Sequence, residues 1–124
     1  MGLYRPKKSD RFAFGLWTIM NRGRDPFGEA TRESIDPLEV ITELGKRGVW
    51  GIEMHAEDLI PDGTSPLRRD KLIKEAGKRM ADQGMACVNC GANTFSHPVF
   101  KDGALTSHDP KVRQLAMQRY LNAL

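Results

Sequence analysis

The apolar pattern along the chain switches period three times, in the same way each time. A β-rich run comes first: RFAFGLWT from Arg11, VWGIEM from Val49 and MACVNC from Met85. A polar loop follows, and then apolar residues return at helical spacing. The first helical set is Leu38, Ile41, Leu44 and Gly45, the second Leu72, Ile73, Ala76 and Met80, and the third Val112, Leu115, Ala116 and Leu124. Each helix is announced by a capping residue and a proline, at Asp36-Pro37, Ser65-Pro66 and Asp109-Pro110. Proline at the first helical position gives up no hydrogen bond, and the Asp or Ser before it accepts from the free amides of the first turn. Gly48 and Gly84 are placed to stop the first two helices.

Three βα units at a period of about 35 to 40 residues imply parallel strands joined by right-handed crossovers. The expected class is α/β, with a parallel sheet of three strands, apolar on both faces, covered by helices. The third helix is still in phase at Leu124, so three strands with two unpaired edges are expected to complete their sheet by association. Residues 1–124 read as one domain, with residues 1–10 as a flexible N-terminal segment.

Composition narrows the setting. No run approaches the roughly 18 apolar residues that a membrane span needs, and the basic start lacks the apolar core of a signal peptide, so a cytoplasmic protein with no membrane partner is expected. The 19 basic and 16 acidic side chains are spread along the chain, whereas a nucleic-acid footprint is a clustered basic face. Cys87 and Cys90 form a Cys-x-x-Cys. On a strand, alternation sends residues three apart to opposite faces, and no second pair completes a zinc site. Two reduced, buried thiols are expected.

Chemistry in parallel sheets gathers where strands end. The loop after the second strand, EMHAEDLIPDG, puts a histidine and three carboxylates into six residues. In extended chain Glu53, His55 and Glu57 share a face, and Asp58 comes within reach of His55 if the chain turns. A histidine oriented by a carboxylate is the minimum equipment for proton transfer near neutral pH. A strand-end histidine satisfied by its neighbour accounts for the same residues, and the two readings stand side by side. A divalent ion also fits this composition, but nothing in the spacing selects a geometry. His97 and His108 read as loop and capping residues. Trp17 and Phe95, at strand ends, read as core residues or as apolar plates beside a polar site. Phe27, in the Gly- and Pro-bounded stretch GRDPFGEA, either folds back or reaches a partner.

RFAFGLWT, GRDPFGEATR, DPLEVITELGKRGVWGIEMHAEDLIPDG and NTFSHPVFKDGALTSHDPKVRQLA together resemble the N-terminal segment of actinobacterial xylose isomerases. The resemblance runs from about Arg11 to the end of the chain and covers roughly the first third of a family member. It implies part of a (β/α)₈ TIM barrel, and an oligomeric isomerase that interconverts aldoses such as xylose and glucose with their ketoses. Two divalent cations, magnesium, manganese or cobalt, take part in that reaction. By resemblance His55 opens the sugar ring and Asp58 orients it. Trp17 and Phe95 wall the sugar pocket, and Phe27 enters a neighbouring subunit's site. Ala56 and Glu57 depart from the family's more acidic spacing, and Gly91 stands where threonine is usual. The family's metal ligands fall on later strands that this chain lacks. An inactive sugar-binding or interaction module derived from the same barrel is the competing expectation.

Overall fold

A computed structural model describes residues 5–23 and 29–124. In chain order the elements are β1 (Ala13–Gly15), α1 (Leu16–Ile19), α2 (Pro37–Lys46), β2 (Gly51–His55), α3 (Ala56–Leu59), α4 (Pro66–Asp82), β3 (Ala86–Gly91), a 3₁₀ turn (Pro98–Phe100) and α5 (Pro110–Ala123). The three strands form one parallel sheet in the order β1-β2-β3. This is the α/β arrangement of three successive βα units, as the period switches imply.

The helix signals act where the pattern places them. Asp36 and Asp109 accept from Leu38 N–H and Lys111 N–H, both at 2.8 Å, and the Ser65 hydroxyl accepts from Arg68 N–H at 3.4 Å. Gly48 and Gly84 sit at φ +77° and +64°, where a side chain would be strained. That turn lets Val49 N–H reach Leu44 C=O at 3.2 Å and Met85 N–H reach Met80 C=O at 2.9 Å, closing α2 and α4 with the same motif.

The core lies between β2 and the helices. Leu16, Ile41 and Ile52 are fully buried, with Val40, Met54, Leu59, Leu72, Ala76 and Met85 around them. Arg79 fastens α4 to α2 by donating to Leu38 C=O at 3.0 Å and to the Thr42 hydroxyl at 2.9 Å.

Several expectations need correction. The first apolar run is a strand for only three residues, and from Leu16 the chain turns helical. None of the strands is fully buried on both faces: β2 buries Ile52 and Met54 on the face that meets the core while Glu53 and His55 on the other are half-buried, and β3 is largely exposed. Ile73 is half exposed, and α5 buries Ala116 and Arg119 while Leu115 and Leu124 stay exposed.

The cysteines are free and exposed, not buried. Alternation also fails, because Ile52 pairs with Cys87 and Glu53 with Asn89, which leaves Val88 as an extra residue. The register therefore sets Cys87 opposite Ile52 and Cys90 opposite Met54, positions on one face of β2. Gly51 permits the bulge: a Cβ there would stand 2.9 Å from Val88 Cγ1. Desolvation pushes both thiols up from their ordinary value, and for Cys90 the nearby Cys87, Glu57 and Asp58 push in the same direction. A raised pKa delays the thiolate to higher pH. Both thiols of the native chain are thus expected to react with a disulfide reagent without unfolding, more slowly than in the unfolded chain at neutral pH and catching up as pH rises. Titration that finds neither thiol before unfolding would contradict the exposed β3 edge.

Candidate functional site

The C-terminal ends of the strands bring three of the expected residues together. β2 ends at His55, which pairs in register with Gly91 at the end of β3, and Trp17 follows the end of β1 by two residues. Gly15 determines where the indole goes. A Cβ on Gly15 would lie 2.4 Å from Trp17 Cε2, so only glycine lets the ring fold back over the strand end. The Trp17 and His55 ring centroids are 4.8 Å apart at 42°, and Phe95 meets His55 edge-on at 5.4 Å and 70°. The imidazole is thus held between two aromatic plates that both keep an open side, Trp17 being 40% and Phe95 68% exposed.

Asp58 reaches His55 because the chain turns into α3 immediately after the strand. Its Oδ2 accepts from the backbone N–H of His55 at 2.8 Å and lies 3.4 Å from His55 Nδ1. Nδ1 is buried and makes no hydrogen bond among the described residues. The carboxylate is therefore anchored first by the main chain and addresses the ring from a slightly longer distance. With Nδ1 facing Asp58, Nε2 is the nitrogen left to meet a ligand. Gly91 borders the ring, and a Cβ there would lie 3.9 Å from His55 Cδ2, an ordinary contact.

Glu57 does not share the strand face with His55, because β2 ends before it. It turns toward β3, where its Oε2 accepts from Asn93 N–H at 2.8 Å. Asn93 Oδ1 in turn accepts from Phe95 N–H at 3.3 Å and Ser96 N–H at 3.0 Å, which sets the bend that carries Phe95. Arg119 of α5 lies under this loop, and its apolar neighbours in sequence gave no hint of it. His97 Nδ1 accepts from Val99 N–H at 3.1 Å and caps the 3₁₀ turn. Phe27 lies outside the described residues. Beside the aromatic pair, Trp17 and Asp58 border a cleft of about 740 Å³ that is also lined by Ser34, Asp36, Thr64 and Arg68, and His55 does not line it.

Among the described residues no three His, Cys, Asp or Glu side chains form a group that could hold a metal ion.

No protein-family model matches the chain. It is, however, 47% identical over 122 residues to a protein of Thermus thermophilus and 45% identical over 122 residues to one of Thermus caldophilus, both named xylose isomerase. It is homologous to a segment of the xylose isomerases. The matches cover 98% of the chain but 32% of each relative, so the chain spans about a third of the length of the curated relatives it matches. Three parallel βα units fit that share of the eight in a xylose isomerase barrel. Among the described residues no helix is long and apolar enough to cross a membrane.

Proposed function

We propose that this chain supplies the first three βα units of a cytoplasmic xylose isomerase, in which His55 handles the proton during opening of the sugar ring. The observation that carries the reading is the imidazole in contact with Trp17 and Phe95 at the end of β2, with the Asp58 carboxylate 3.4 Å from Nδ1, in a chain 47% identical to a xylose isomerase. Apolar plates with an open side suit the C–H faces of a pyranose, and a polar atom between them suits its ring oxygen and anomeric hydroxyl. Opening a cyclic hemiacetal takes the proton from the anomeric hydroxyl and gives one to the ring oxygen as the C1–O5 bond breaks. Nε2 of a single histidine can accept the first and return the second, with Asp58 steadying the ring while it is charged.

The divalent cations of the family would come from donors outside the described residues. The assembled protein would then complete the aldose–ketose interconversion of xylose, and of glucose, as a homo-oligomer. Phe27 would reach a neighbouring subunit's site. A sugar-binding or interaction module derived from the same barrel, without isomerase activity, is the second reading.

Incubation of the assembled protein with xylose and magnesium or manganese separates the two. Conversion to xylulose is expected. Sugar binding without conversion would favour the module, and neither binding nor conversion would overturn both readings.

A further inference from the structure

Arg119 is 7% exposed although it projects from a helix whose apolar residues are largely open to solvent. A guanidinium taken out of water is costly unless its donors are met. Its partners come from separate segments of the chain. Nη1 donates to Asn93 C=O at the end of β3, and Nη2 to Asp62 in the loop after α3. Glu57 Oε1 stands 3.7 Å from Nε, and the guanidinium lies over the Phe100 ring at 5.1 Å.

Two of these partners govern the surroundings of His55. Asn93 is gripped through both main-chain polar groups, its N–H by Glu57 and its C=O by Arg119. The Asn93 side chain fixes the bend that brings Phe95 against His55. Glu57 immediately precedes Asp58, the carboxylate that faces His55 Nδ1.

We propose that Arg119 is a positioning residue for the sugar site, holding the Phe95 bend and the Glu57–Asp58 turn in fixed relation to His55. The consequence for sugar rests on the reading under Proposed function, but the consequence for the His55 environment does not. The planar, forked guanidinium donates to Asn93 and Asp62 from its two Nη atoms and holds Glu57 at ion-pair distance from Nε, which makes no hydrogen bond among the described residues. Lysine keeps the charge but cannot span them.

The test uses the assembled protein with carbon-13-labelled histidine, whose three histidines give few resonances. Trp17 and Phe95 place a ring-current shift on the His55 ring. In Arg119→Met this resonance is expected to move toward the value of an unpacked histidine, and xylose affinity to fall about tenfold, as for a lost charge-assisted contact. Arg119→Lys should fold and show a smaller change in the same direction. Arg79→Met removes a comparable clamp between α2 and α4 and should lower Tm while leaving the His55 resonance in place. If Arg119→Met does not fold, Arg119→Lys and Asn93→Ala carry the test, since Asn93→Ala releases the Phe95 bend and should move the same resonance. A His55 resonance unmoved in the folded variants, with only Tm reduced, would overturn the proposal. Absence of xylose binding by the unsubstituted protein, with the resonance still moved by the substitutions, would count against the sugar reading alone.

Discussion

On the function proposed above, His55→Asn in the assembled protein is expected to slow turnover of cyclic xylose by about 10²–10⁴-fold, the usual contribution of positioned acid–base assistance, while Tm changes little. Asparagine occupies much of the space between Trp17 and Phe95 but cannot carry a proton between the anomeric hydroxyl and the ring oxygen. The main-chain N–H of His55, which bonds Asp58 at 2.8 Å, survives the substitution, so the turn into α3 is kept. Asp58→Asn should lose less. An amide oxygen can still accept from that N–H, but the negative charge 3.4 Å from Nδ1 is gone, and with it the enforcement of tautomer and support for the charged ring. A satisfied strand-end histidine predicts the opposite order, a lowered Tm with turnover per folded molecule intact. Measuring turnover and melting on the same preparations distinguishes them, and near-normal turnover in a destabilised His55→Asn protein would remove His55 from the reaction.

What could be read from the sequence was the part that local chemistry dictates. Asp36, Ser65 and Asp109 cap because their side-chain oxygens meet the first free amides whatever the tertiary context, and Gly48 and Gly84 end helices because φ there is positive. His55 and Asp58 stood out because they are close in sequence. The features that escaped depend on other strands. A bulge at Val88 needs room on β2, which Gly51 leaves open, and no periodicity within β3 announces it. Strict alternation was therefore the wrong rule for Cys87 and Cys90. Arg119 escaped for the same kind of reason. Apolar spacing finds helix faces that bury hydrocarbon, whereas this helix buries a guanidinium whose partners lie 26 and 57 residues away. The fold-back of Trp17 onto Gly15 is visible only once the indole is placed.

The second large effect is expected in the association of the 124-residue chain when prepared alone. Among the described residues each outer strand pairs only with β2, so the far sides of β1 and β3 keep backbone groups without a strand partner there. Phe12 and Phe14 flank one of these edges, at 54% and 45% exposed, and Met117, Tyr120 and Leu121 stay open on α5. Parallel edges flanked by exposed apolar side chains are stable when covered. The isolated chain should therefore sediment as more than a monomer, and its unfolding should depend on concentration. For a dimer, each tenfold rise in concentration adds about 1.4 kcal/mol to the apparent stability, which raises Tm by several degrees in a chain of this length. A partner that completes the sheet, such as the remaining barrel units of a xylose isomerase, should raise Tm further and, at saturating concentration, remove the dependence on the concentration of this chain. Sedimentation and thermal melts over a dilution series read both quantities. A monomeric mass with a cooperative transition that does not shift on dilution would mean that three βα units bury enough surface to stand alone, and the open edges would then need no partner.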